Sequence, residues 1–241
     1  MRKTTLGELD VVLAGGPDRN GGGDGPMLVL MHGFGAPGND LVSIHRALRV
    51  PSDVRFAFPH APLDLAPGVA PDFSPRAWWM IDVARLQSDI RDGRGETLMK
   101  ETPVGLDAAR NAVFGMLEAL ERDHAAPPAR VVLGGFSQGA MLACDVLLRH
   151  ERSFAGAVLL SGAVICEDEW TRLVEKRRGV RVLQSHGKSD PVLPYVGGER
   201  LRNLLSAGGL EVEWLSFGGG HGVPDSVVNR LGDFVLETTA V

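Results

Sequence analysis

Cysteine is scarce in this chain: Cys144 and Cys166 are the only two in 241 residues. Two thiols cannot make a disulfide framework, so free thiols in a cytoplasmic protein are expected. An excess of basic residues is also missing. The formal net charge is -5 and the isoelectric point is about 5.8. That gives no electrostatic footprint for nucleic acid, whose binding wants a basic face. No run approaches the ~18 apolar residues of a membrane span. After Met1-Arg2-Lys3, Glu8 and Asp10 interrupt any apolar leader, so no signal peptide is expected. Internal repeats and linkers are lacking too. Residues 1–241 are therefore expected to form a single domain.

What is present is a chain of ordinary globular composition, long enough to bury a sizeable core. Short apolar runs alternate with longer helical patterns. Strands are expected at 9–13, 27–31, 55–58, 131–133, 154–160, 180–184 and 212–217. Helices are expected at 37–48, from Thr102-Pro103 onward, and at 138–148, 168–176, 197–205 and 223–236. Thr102 reads as an N-cap with Pro103 at the first helical position. This alternation predicts an α/β fold, a mostly parallel central sheet with helices on both faces. Residues 62–100 break the pattern. They hold Pro62, Pro67, Pro71 and Pro75 and the adjacent Trp78 and Trp79, and read as an irregular segment over or beside an active site.

Gly135-Phe136-Ser137-Gln138-Gly139 is a Gly-x-Ser-x-Gly sequence between an expected strand and an expected helix. In that context the serine sits on a sharp turn with its hydroxyl exposed, and the flanking glycines remove side chains that would clash. The helix N-terminus favours a developing anion, and the Gln138 backbone N–H is one natural oxyanion donor. Ser137 is the candidate nucleophile.

Such a turn takes its partners in the chain order serine, then Asp or Glu, then histidine. Of seven histidines only His150, His186 and His221 follow Ser137. His150 ends the helix that begins at Ser137, which makes it a poor base and a reasonable cation at a helix C-terminus. His186 closes a strand, and His221 lies in Gly218-Gly219-Gly220-His221-Gly222 directly after the last strand. With His221 as base, Asp190 is the favoured acid over Asp168 and Glu169, which open a helix. His186 then reads as a turn-stabilising neighbour.

Gly33-Phe34-Gly35-Ala36-Pro37-Gly38 matches the dinucleotide pattern Gly-x-Gly-x-x-Gly. A dinucleotide site wants an acid at the end of the next strand, but that strand ends in Pro59-His60, and Asp53 precedes it. The better reading is an oxyanion loop of the His-Gly type, with Phe34 N–H as the second donor. The spacing of Asp10, His32, His45 and His60 matches no metal-ligand pattern, so neither metal nor cofactor is expected.

Five segments stand in order: Met31-His32-Gly33-Phe34-Gly35, Phe58-Pro59-His60-Ala61-Pro62, Gly135 to Ala140, His186 to Val192, and Gly220-His221. The chain resembles the phospholipase/carboxylesterase family of α/β-hydrolases, the group that includes acyl-protein thioesterases. The resemblance implies an α/β-hydrolase fold, a triad of Ser137, Asp190 and His221, oxyanion donors at Phe34 and Gln138, and hydrolysis of carboxylic esters or thioesters without a cofactor. The stretch around Arg76-Ala77-Trp78-Trp79 is longer and more aromatic than the thioesterases lead one to expect.

Adjacent tryptophans on an extended segment point to opposite sides, so one can pack on the core while the other faces a cleft. Trp78, Trp79, Phe73 and Val192 are the candidate lining of an acyl or aryl pocket, and Arg76 is a candidate for an anionic group. The first expectation is a serine carboxylesterase for short-to-medium-chain esters. The alternatives are an acyl-thioesterase or lysophospholipase and, in another class, a hydrolase-fold binding protein without turnover. The expected partner is a small-molecule ester. The oligomeric state stays open, with a homodimer as one arrangement considered.

Overall fold

The computed structural model describes residues 1–93 and 100–239. Among them, eight strands form one sheet: β1 (Arg2–Leu6), β2 (Leu9–Gly15), β3 (Met27–Met31), β4 (Arg55–Pro59), β7 (Val131–Phe136), β8 (Gly156–Leu160), β9 (Arg181–Gly187) and β10 (Glu211–Phe217). Their spatial order is β1-β2-β4-β3-β7-β8-β9-β10. β1 and β2 run antiparallel to their neighbours, and the remaining pairs are parallel. β5 (Leu63–Asp64) and β6 (Arg76–Ala77) form a separate two-stranded ribbon.

The period of two along each central strand divides the core into two layers. Met27, Val29, Met31, Val131, Leu133, Ala157 and Leu159 face one layer, together with α3 (Leu106–His124), α4 (Gln138–Arg149), α5 (Glu167–Leu173) and α6 (Tyr195–Ala207). Leu28, Leu30, Val132, Val158 and Leu160 face the other, against α7 (Asp225–Thr239) through Val227, Leu231, Phe234 and Val235. Both faces are covered, which is why these strands read as unbroken apolar runs rather than alternating ones. α4 lies centrally, and all its residues from Gln138 to Leu148 are buried.

The structure adds or moves several elements. β1 was not expected, because Arg2, Lys3 and Thr5 are exposed on an edge strand and carry no apolar alternation. The region 37–48 is a 3-10 turn at Asp40–Ser43 followed by the short α1 (Ile44–Ala47). Thr102 does not cap a helix: α3 starts at Leu106 behind Gly105, whose φ is 94. Within 62–100 the chain forms the β5–β6 ribbon and α2 (Val83–Arg91), and residues 94–99 of that segment lie outside the described residues.

Chain order sets the site. From β3 the chain passes to β4 on one side, and β7 later takes the other side of β3. Loops leaving the carboxyl ends of β3 and β7 therefore diverge, opening the crevice where parallel α/β sheets bind ligands.

Candidate active site

Ser137 stands between β7 and α4 with φ 55 and ψ -118, a backbone that side chains rarely adopt. The turn is held from both sides. Ser137 N–H donates to the Leu160 carbonyl at 2.8 Å, and the Ser137 carbonyl accepts from Ala140 and Met141 in the first turn of α4. A methyl group at position 139 would lie 2.1 Å from the Met31 oxygen, and one at 135 would lie 2.4 Å from the Gly139 backbone. Only glycine at both positions lets the turn pack against β3.

The structure brings His221 and Asp190 to this turn. Ser137 Oγ lies 2.8 Å from His221 Nε2, and His221 Nδ1 lies 2.7 Å from Asp190 Oδ2. With Nδ1 protonated, the imidazole donates to the carboxylate and can accept the serine proton. Asp190 is oriented by its own loop: Oδ1 accepts the backbone N–H groups of Val192 at 2.8 Å and Leu193 at 2.9 Å. The loops carrying the acid and the imidazole continue the β9–β10 pairing. Lys188 N–H donates to the Phe217 carbonyl and Ser189 N–H to the Gly219 carbonyl, each at 2.9 Å. The Phe136 ring packs on the His221 imidazole, with centroids 4.8 Å apart.

His186 lies inside β9 and is wholly buried. It does not meet Ser137. Its Nε2–H donates to the Leu193 carbonyl at 2.8 Å and lies 3.4 Å from Asp190 Oδ2, so it steadies the acid's loop. His150 caps α4 and packs against Phe114 and Phe154. Asp168 and Glu169 are in the first turn of α5. No group of three His, Cys, Asp or Glu side chains is arranged to hold a metal ion among the described residues.

Across the crevice, Phe34 follows β3. Neither its backbone N–H nor that of Gln138 has a hydrogen-bond acceptor among the described residues. Neighbouring groups of the Phe34 loop are engaged. Gly35 N–H donates to the Arg76 carbonyl at 2.8 Å, and Arg76 N–H donates to the Ala36 carbonyl at 3.0 Å. His32 is buried; its Nδ1–H donates to the Gly33 carbonyl at 2.8 Å, and Nε2 accepts Ala61 N–H at 3.0 Å. Burial pushes its pKa from 6.5 to about 4, with His60 and Arg76 nearby adding to the effect.

The candidate substrate residues are placed differently from the sequence reading. Trp78 and Trp79 do not divide between core and cleft. They are 1% and 2% exposed, and both belong to one core layer. The chain bends here instead of running extended, so the alternation of an extended segment does not apply. Arg76 Nη1 donates to the Ala61 carbonyl at 3.0 Å, which makes this side chain a brace within the loop, while its buried Nε has no hydrogen-bond partner among the described residues. Phe73 is 76% exposed and Val192, two residues past the acid, is 46% exposed.

Sequence reasoning missed three contributors. They are the Gln138 side chain, the imidazole of His32 and the ring of Phe136 on His221. All three lie within motifs already singled out, but each has a partner distant in sequence, and no spacing rule points to them.

Comparison with known proteins agrees with this architecture. The sequence profile described as Phospholipase/Carboxylesterase matches residues 23–238. A Neurospora crassa protein named acyl-protein thioesterase 1 is 27% identical over 218 residues, 87% of this chain and 85% of its own. One of the same name from Cryptococcus neoformans is 30% identical over 184 residues, 74% of this chain and 71% of its own. The crystal structure of esterase PE8 superimposes with a TM-score of 0.76 at 23% identity, covering 95% of this chain and 99% of that one. A Mesorhizobium loti carboxylesterase gives 0.74 at 18% identity, covering 98% and 99%. At such identities the structural likeness speaks for the fold. With its motifs in order over nearly the whole chain, this protein belongs to the phospholipase/carboxylesterase family of α/β-hydrolases and is a hydrolase of the esterase or thioesterase type.

Proposed function

We propose that this chain hydrolyses acyl thioesters, and the matching oxygen esters more slowly, through an acyl-enzyme on Ser137. The observation that carries the proposal is the unbroken hydrogen-bonded path from Ser137 Oγ through His221 to Asp190. His221 takes the Ser137 proton as Oγ attacks the acyl carbon. The oxyanion that forms is held by the backbone N–H groups of Phe34 and Gln138, the latter at the N-terminus of α4. Collapse breaks the bond to sulfur or oxygen, and the imidazolium returns its proton to the leaving group. Water repeats the sequence in the second half and frees the acid. Asp190 keeps the imidazole in the Nδ1–H tautomer throughout. We read residues 1–241 as one domain carrying this site.

The curated relatives named acyl-protein thioesterases, 27% and 30% identical to this chain, support thioesters over the carboxylic esters favoured by the sequence reading. The family description supports the carboxylesterase as the second reading. Matched pairs of acyl thioesters and p-nitrophenyl esters of equal chain length, short to long, decide between them. Higher kcat/KM on the thioester of each pair is expected, and the reverse order returns the assignment to a carboxylesterase. Ser137→Ala should abolish both activities. Failure of a fluorophosphonate probe to label Ser137 would instead favour a binding protein without turnover.

A further inference from the structure

The Gln138 side chain lies buried at 1% exposure and spans two consecutive backbone groups. Its Oε1 accepts Trp78 N–H at 3.0 Å, and its Nε2 donates to the Trp79 carbonyl at 2.8 Å. The Trp78 indole Nε1–H in turn donates to the His32 carbonyl at 2.9 Å. These three hydrogen bonds run in series from the start of α4, through the tryptophan pair, to the loop after β3. They join the two segments that carry the oxyanion donors, Gln138 on one side and Phe34 on the other. Gln138 therefore offers two things: its backbone N–H toward the reacting centre and its side chain toward a brace behind it.

We propose that Gln138 and Trp78 are positioning residues that set the spacing between the Phe34 and Gln138 N–H groups. The role rests on the proposed acyl-enzyme mechanism. It also accounts for Trp78: the indole is buried as a strut and not as a wall of the acyl pocket. Each bond in the series is buried and has a fixed donor and acceptor, so removing one leaves the next group unpaired and frees the loop to shift. A displaced donor is misaligned for the transition-state oxygen while ground-state binding is unaffected.

The test is Gln138→Met, which keeps the backbone N–H and side-chain length and deletes both side-chain bonds. Trp78→Phe keeps the aromatic packing and deletes the bond to His32. For each variant kcat, KM and the inhibition constant of an alkyl boronic acid, whose tetrahedral adduct mimics the intermediate, are measured on a p-nitrophenyl ester. kcat should fall roughly 10- to 100-fold in either variant, with KM within about twofold. The boronic-acid constant should rise in parallel with the loss in kcat. The double variant should lose little more than the worse single one, since both cut the same series. Unchanged kcat, additive losses, or a fall in kcat with the inhibition constant unchanged would overturn the brace, the last because it signals only fewer folded molecules. If Gln138→Met does not fold, Trp78→Phe carries the same measurements alone. Ser137→Ala run alongside separates the two levels: a wild-type rate there removes the mechanism itself, whereas a dead Ser137→Ala with unaltered brace variants removes only this inference.

Discussion

The imidazole of His32 accepts the backbone N–H of Ala61 at 3.0 Å while its other nitrogen donates to the Gly33 carbonyl. The first bond requires an unprotonated Nε2, so this direct tie between the loops after β3 and β4 holds only while His32 is neutral. Burial already pushes its pKa from 6.5 to about 4.

The sign of the pH dependence follows. Between pH 6.5 and about 4 the unfolded chain binds the proton and the folded chain does not. Stability is therefore fully present above the unfolded value and is lost as pH falls toward the folded one, by about 3 kcal/mol in total. His60, lowered by burial and by Arg76, adds a loss of the same sign. Urea unfolding at steps from pH 7.5 to 4 should show the decline, and His32→Gln should be visibly flatter across this range. Equal slopes for the two proteins would count against the assignment.

Asp190→Asn should lower kcat by about 10⁴-fold with KM little changed. The Asn amide would keep an oxygen for Val192 and Leu193 but can present N–H groups to His221 Nδ1, favouring the tautomer that cannot accept the Ser137 proton. Steady-state kinetics measure the loss, and a near-native thermal midpoint would show that the fold survives. A variant retaining a tenth of wild-type kcat would remove Asp190 from the proposed role.

Asp145 on α4 is fully buried and accepts from Arg110 Nη1 at 2.8 Å, Arg149 Nε at 2.9 Å and Trp170 Nε1 at 2.9 Å. It joins α3, α4 and α5 on the face of the sheet away from α7. Asp145→Ala leaves two partly buried guanidinium groups and a buried indole N–H without this partner, so a destabilisation of about 3–5 kcal/mol is expected. Trp170→Phe removes one donor to this carboxylate, about 1.5–3 kcal/mol for the hydrogen bond, and also leaves part of a fully buried ring site empty. Chemical denaturation should lower the midpoint of both variants while leaving KM of the folded fraction unchanged.

Where neighbours in sequence are neighbours in space, the linear pattern was sufficient. The unbroken apolar runs of β3, β7 and β8 marked a sheet covered on both faces. The glycines around Ser137 marked the strained turn, because their steric need arises within five residues. Chain order then reduced the histidines to two and pointed to Asp190, since loops leaving parallel strands emerge at one edge. The exposed edge strand β1 escaped notice because antiparallel pairing stabilises it without an apolar pattern. Thr102 had the chemistry of a cap but not the place, since Gly105 supplies the turn into α3.

Family, fold class and the identities of Ser137, His221 and Asp190 as candidates were thus legible in the sequence by itself. The tertiary structure decided the destination of the long side chains. Trp78 and Trp79 are both buried, Arg76 reaches back to Ala61, and Gln138 grips a backbone 59 and 60 residues away. Local sequence specifies backbone period and turn geometry, whereas a buried polar atom is satisfied by whichever distant donor or acceptor the packed fold brings within about 3 Å.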